Sequence, residues 1–384
     1  MAREVFIAAY GRSAICRAKK GSFAETHPIE YSAQTLKGVL ARIPQLDHAE
    51  IEDVIMGCSF PHNETGMNIA RLVVNRAELP DSVSAQTINR FCSSGLQAIA
   101  TAAGAIMAGQ GDVVVAGGVE DMSHTFIPYD EKYQNKWLSE NYPGAYMSMG
   151  ITAENVAERY KITREEMDRM AVESHRKAFA AQTGGKFVSI VPVTVKDAEG
   201  NDKVVVKDEG IRPDTSMESL ASLKPCFKPD GVVTAATSSQ VSDAAAFIVL
   251  LSGEKAAELG IKPVARLVSF AVAGCDATVM GLGPIHAVPK AMRRAGLSVD
   301  EMDVVELNEA FAAQAIPCIK ELGLNPDKVN PYGGAIALGH PLGATGVILT
   351  CKALDYLKDN NGKYGLVTMC IGGGMGAAGI FELL

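Results

Sequence analysis

The sequence has no pair of cysteines at C-x-x-C spacing, no block of more than a few lysines or arginines, and no apolar run approaching about 18 residues without polar interruption. Each absence removes a class of protein. Eight cysteines scattered through 384 residues do not make a disulfide scaffold; they read as reduced thiols and predict a cytoplasmic location. A formal charge of -8 with no basic stripe makes a nucleic-acid backbone a poor partner. No segment reads as a transmembrane helix, and the opening MAREVFIAAYGRS lacks the pattern of a cleavable signal. There is no P-loop, H-E-x-x-H or G-x-S-x-G element. What the chain does have is glycine (37 residues) and apolar side chains (47%) against only 21% charged. That is enough for a large core and for more than one domain.

One local pattern occurs twice. The acidic turn and β-branched strand of residues 51–57 return at 301–307, and an amphipathic helix precedes each, around 32–42 and 285–295. The same offset carries Cys92 to Leu342, and both stand at the head of a helix rich in Gly, Ala, Ser and Thr, near 93–108 and 343–357. Residues 112–118 and 364–369 are apolar runs of the kind expected in buried strands. The repeat predicts an α/β fold of two pseudo-symmetric halves with mixed sheets, the two small-residue helices packing against each other between them. The predicted divisions are 1–119 for the first half, 120–242 for an inserted loop domain, 243–265 for a segment rejoining the first half, and 266–384 for the second. The insertion contains Pro-, Tyr- and Met-rich loops from Phe126 to Met149 and a helix near 164–182, and inserted loops on a rigid scaffold are where ligands are usually held.

Three reactive groups stand at the ends of these elements. Cys92 precedes a helix, where unpaired N–H groups and the helix dipole favour a thiolate, although a buried structural cysteine is the competing reading. His340 lies between Gly339 and Pro341 in a glycine-rich tract, with Pro341 fitting a first helical position; it is a candidate acid/base, or a satisfied core histidine. No His, Asp or Glu stands near it at metal-ligand spacing, so no metal is expected. Cys370 ends a strand that breaks into Gly372-Gly373-Gly374, whose amides are free to face a developing oxyanion. That run lacks a G-x-G-x-x-G spacing leading into a helix and an acidic residue about 20 positions on, so it is not a dinucleotide fingerprint. Asn308, after the apolar strand 304–307, is either a functional polar group or a helix cap.

Five motifs in order carry a resemblance: Asn89-Arg90-Phe91-Cys92-Ser93-Ser94-Gly95, Gly117-Gly118-Val119-Glu120-Asp121-Met122-Ser123, Asn308-Glu309-Ala310-Phe311-Ala312-Ala313-Gln314, Gly333 to Pro341, and Cys370-Ile371-Gly372-Gly373-Gly374. Over essentially its whole length the chain resembles the thiolases. The resemblance implies the layered αβαβα arrangement and the cleavage of a 3-oxoacyl-CoA by CoA through an acyl-Cys92 intermediate. His340 would take the Cys92 proton, Cys370 would serve as acid/base on the acetyl-CoA enolate, and Asn308 would hold a water. One oxyanion hole would combine that water with His340, and a second the amides of Cys92 and Gly372. CoA is implied as co-substrate, with no tightly bound cofactor; Arg212, Ser239, Met149, Phe227 and Phe311 are the implied CoA and substrate contacts. Lys224 and Lys228 either face phosphate or are solvated surface.

Ser148 stands where short-chain members usually carry histidine, which favours a fatty-acid-degrading 3-ketoacyl-CoA thiolase over a biosynthetic acetoacetyl-CoA thiolase. A non-catalytic acyl-CoA carrier is the remote alternative. Two alanines, Ala236 and Ala244, stand where the family commonly has glycine. The resemblance also implies a homodimer or homotetramer and admits association with a hydratase/dehydrogenase subunit.

Overall fold

The computed structural model describes residues 3–125 and 131–384. The start of the loop expected from Phe126, residues 126–130, lies outside them. The principal strands are β1 (Val5–Arg12), β2 (Asp53–Gly57), β3 (Ser84–Ile88), β4 (Val113–Glu120), β5 (Ser242–Ser252), β6 (Ala265–Gly274), β7 (Val304–Leu307), β8 (Tyr364–Ile371) and β9 (Met375–Leu383). Together with the two-residue Cys16–Arg17 beside β5 they form one sheet in the order β7-β8-β9-β6-β1-β5-β4-β2-β3. The two expected mixed sheets, one in each half, are both present and meet edge to edge in one continuous path. Within the sheet, the halves join where β1 meets β6, at the register pair Ile7–Ala265.

The repeat is visible in the pairing. In the first half β2 lies parallel to both β3 and β4, and β5 runs antiparallel to β4 and β1. In the second, β7 is parallel to β8, and β9 is antiparallel to β8 and β6. The counterpart of β3 is reduced to a parallel bridge between Val305 and Val329.

Helices α1 (Pro28–Leu40), α2 (Ile69–Arg76), α3 (Ser94–Met107), α4 (Met149–Tyr160), α5 (Arg164–Thr183), α6 (Gly283–Ala295), α7 (Ala312–Glu321) and α8 (Leu342–Asn360) complete the scaffold. Strand alternation sorts the core into layers. Val113 and Val115 turn toward α1 and α2, whereas Val114 and Ala116 turn toward α3 and α8. Across the second half, Leu366 faces α6 and α7 while Val367 faces α8. Both faces of these strands are thus apolar, which is why they read as unbroken hydrophobic runs. Between the two halves, α3 and α8 approach closely because they meet at glycine: a Cβ on Gly95 would stand 2.8 Å from the Gly343 carbonyl oxygen.

Within the inserted stretch, α4 and α5 pack on α7, and a separate two-stranded hairpin pairs Val193–Lys196 with Asp202–Val205. Thr163 opens α5 with a full capping box to Glu166. Neither Ala236, in a 3-10 turn, nor Ala244, in β5, has positive φ, so the added methyls cause no backbone strain. Gly374, Gly376 and Gly379 do stand at G-x-G-x-x-G spacing, but the last two lie inside β9, a strand rather than a helix.

Candidate active site

Cys92 sits in a 3-10 turn, Phe91–Ser93, just ahead of α3. Side chains fold that turn locally: Asn89 Oδ1 accepts the Phe91 N–H at 2.7 Å, Asn89 Nδ2 donates to the Ser59 carbonyl at 3.0 Å, and Ser94 Oγ accepts the Arg90 N–H at 2.8 Å. They hold Phe91 at φ +44°, a conformation costing on the order of 1–3 kcal/mol for a residue with a side chain. The strained residue precedes the sulfur directly.

The amides of Cys92 and Gly372, paired on the sequence as an oxyanion hole, converge here on the Cys92 sulfur. Their pull does not lower the thiol as its place at a helix start suggests. Burial dominates and pushes Cys92 up to about 11, so at neutral pH the group is S–H and needs a base. Cys370, at the end of β8, is fully buried and is pushed well above the ordinary thiol range, first by burial and then by the neighbouring thiols of Cys92 and Cys318. Cys370 too rests as a neutral thiol, because burial disfavours the thiolate.

His340 reaches this region through the backbone that Gly339 permits. Gly339 has φ +114°, and a Cβ there would stand 2.1 Å from Ser242 Oγ, so no other residue fits. Pro341 caps α8 rather than opening it, one position earlier than expected. Burial holds His340 down at about 3, so the ring is neutral at physiological pH. Its Nδ1 lies 2.6 Å from Thr345 Oγ1. A hydroxyl both donates and accepts, so Thr345 supports either neutral tautomer. With the proton on Nδ1, Nε2 can accept from a thiol; with it on Nε2, the ring can donate to an oxyanion.

Asn308 is not a helix cap, because Phe311 occupies that position for α7. Its backbone is fixed, N–H to Thr368 O at 3.0 Å and carbonyl to Gln314 Nε2 at 3.1 Å. The side-chain amide remains: Nδ2 lies 3.3 Å from His340 Nε2, and Oδ1 is buried without a protein partner. A buried polar atom left open beside a neutral imidazole marks a place for a bound water or ligand oxygen.

Met149, Phe311 and Cys370 share one apolar cluster. A Cβ on Gly372 would lie 3.6 Å from Met149 Sδ and 3.9 Å from the Phe91 ring, so these side chains wall the space over the glycine turn. Phe227 packs edge-on to Phe311, ring centres 5.9 Å apart. Ser239 donates its N–H to the Ala310 carbonyl at 2.9 Å, which sets it beside the Asn308 loop. Arg212 is exposed; its N–H donates to His175 Nδ1 at 3.1 Å. Lys228 pairs with Glu158 at 3.8 Å and Lys224 is exposed, which places both on the solvated surface.

Two supporting residues were not legible as such. Thr345 reads as one more small residue in a packing helix. Gln240 sends Nε2 to the carbonyls of Gly210, Ile336 and Ala337 at 2.8, 3.1 and 3.0 Å, while its own carbonyl accepts the His340 N–H at 3.0 Å. It therefore ties the loop before Arg212 to the turn that carries His340. Only its neighbour Ser239 is flagged by the sequence pattern. Among the described residues there is no cluster of three or more potential metal ligands.

The whole chain finds counterparts among known proteins. Residues 5–254 match the thiolase N-terminal domain and residues 261–383 the thiolase C-terminal domain. The chain is 47% identical to a 3-ketoacyl-CoA thiolase of Bacillus subtilis (strain 168), covering 99% of this chain and 100% of that protein. It is 48% identical to a 3-ketoacyl-CoA thiolase of Marinomonas sp. (strain MWYL1), covering 97% and 96%. The crystal structure of the Bacillus anthracis acetyl-CoA acetyltransferase superposes with a TM-score of 0.93 at 39% identity, covering 100% of this chain and 99% of that one. Matches spanning both halves, together with a fold shared from end to end, show that the chain belongs to the thiolase family.

Proposed function

We propose that the protein cleaves 3-oxoacyl-CoA with CoA, giving acetyl-CoA and an acyl-CoA two carbons shorter, as a degradative thiolase. The observation that carries this reading is the meeting of the Cys92 sulfur with the Gly372 amide and the nearby Cys370 thiol, while His340 and Asn308 pair with each other. In the proposed cycle Cys92 attacks the 3-keto carbon and His340 Nε2 takes its proton. The C2–C3 bond then breaks, the electron pair leaving as the acetyl-CoA enolate, and Cys370 protonates C2. A CoA thiol gives its proton to the Cys370 thiolate and takes the acyl group from Cys92, whose sulfur leaves as thiolate and recovers its proton from His340. The amides of Cys92 and Gly372 suit the thioester oxyanion, and His340 with a water on Asn308 suits the enolate.

Arg212, Ser239, Met149, Phe227 and Phe311 are proposed as the CoA and substrate contacts, with the stretch 120–242 as the ligand-covering insertion. Both sequence relatives described above, at 47% and 48% identity, bear the 3-ketoacyl-CoA thiolase name, and the acetyltransferase structure is more distant at 39%. That ordering favours the degradative direction over acetoacetyl-CoA synthesis. Rates with 3-oxoacyl-CoA of four against eight carbons test it. We expect kcat/KM to be at least as high for eight; cleavage confined to four carbons would overturn the degradative reading.

We further propose a homodimer, itself able to pair into a tetramer, formed through the unpaired edge of β3. That strand is half exposed along its length, and a depression of about 260 Å³ lined by Asp53, Gln86, Thr101 and Gly104 runs beside it. A monomeric mass in solution would contradict this. A cytoplasmic location is proposed on the eight unpaired cysteines, and association with a hydratase/dehydrogenase subunit is left to co-purification.

A further inference from the structure

Glu120 ends β4 fully buried, and among the described residues no cation pairs with it. Its Oε2 lies 2.9 Å from Ser59 N and 2.7 Å from Gly343 N; its Oε1 lies 3.1 Å from Phe60 N and 3.7 Å from Cys58 Sγ. All four neighbours are donors. The three backbone amides can only donate, so they favour the ionised form, although burial pushes the group upward. Placing an unpaired carboxylate in a core is costly, and nothing in the fold of β4 itself requires one.

The position explains its use. Gly343 is pressed against the strand tips: a Cβ there would stand 2.5 Å from the Val119 carbonyl oxygen and 2.8 Å from Cys58 Cα. The Glu120 carboxylate is the polar tie across that contact, joining the exits of β2 and β4 to the first turn of α8. His340 lies three residues before the tied amide. Cys58, from the exit of β2, lies against the carboxylate, and Tyr31 from α1 donates its hydroxyl to the Glu120 carbonyl at 3.0 Å.

We propose that Glu120 is a positioning residue that pins the start of α8, and with it His340, to the exits of β2 and β4. The proposal rests on the reading of Cys92 as nucleophile. The test is steady-state kinetics of the full-length protein with 3-oxoacyl-CoA and CoA. Glu120→Asp, which keeps the charge but shortens its reach, should lower kcat about tenfold or more with acyl-CoA KM within about twofold. Wild-type kcat in Glu120→Asp, or a change confined to KM, overturns the proposal. If Glu120→Asp yields no folded protein, Glu120→Gln, which keeps the reach but turns a donor toward the amides, is measured the same way; it should show the same loss of kcat, and wild-type kcat there overturns the proposal equally. Failure of the underlying reading looks different: Cys92→Ala would still form an acyl-enzyme, whatever the Glu120 variants do.

Discussion

Cys92, His340 and Cys370 are all held in their neutral forms by burial. The resting site is therefore a set of uncharged donors and acceptors, and charge appears only as the reaction creates it. In such a site Cys370→Ala separates the two half-reactions. Acylation of Cys92 by hexanoyl-CoA should persist within a few-fold of wild type. Carbon–carbon cleavage and exchange of deuterium into the methyl group of acetyl-CoA should fall about 100- to 10,000-fold. Exchange at the wild-type rate would show that another group moves the proton. The reactive residues were legible because cysteine and histidine stand out among glycines; their protonation states were not, because these depend on a dryness contributed by distant elements. Thr345 and Gln240 lacked even that signal, since a threonine or glutamine announces nothing until its partners are in place.

At the scale of elements, the joints matter more than the strands and helices. Small residues at Gly95, Gly343 and Gly346 bring α3 and α8 into backbone contact, and their concentration made that packing readable in advance. The join between β1 and β6 was hidden, because edge pairing at one register leaves no periodic trace. The joint between α5 and the loop at Arg212 depends on His175, which accepts the Arg212 N–H and is held down at about 4 by burial and then by the Arg212 charge. Its folded value lies below its unfolded one, so the unfolded chain binds the proton first as pH falls. The stability His175 supports is complete above about pH 6.5 and is lost between there and pH 4; His340 acts in the same direction. Urea unfolding at pH 7 and pH 4.5 should show that His175→Gln loses roughly 2–3 kcal/mol less over that interval than wild type. An equal loss in both proteins would remove His175 from the account.

For the whole molecule, the two halves divide one task. The first half supplies Cys92 at the head of α3, and the second supplies Asn308, His340 and Cys370 from the ends of β7, of the glycine tract and of β8. Internal repetition was therefore the most informative feature of the sequence: it predicted two similar units, and the reactive residues fell at equivalent ends of both. Chemistry drawn from both halves is the central claim, and trapping the intermediate tests it most directly. The protein would be mixed with 3-oxooctanoyl-CoA and a limiting amount of CoA, quenched in acid within milliseconds, digested and weighed. The account predicts a hexanoyl group on the Cys92 peptide, formed in step with the first acetyl-CoA released. Acetyl-CoA released with no adduct on Cys92, or with the adduct on another residue, would contradict it.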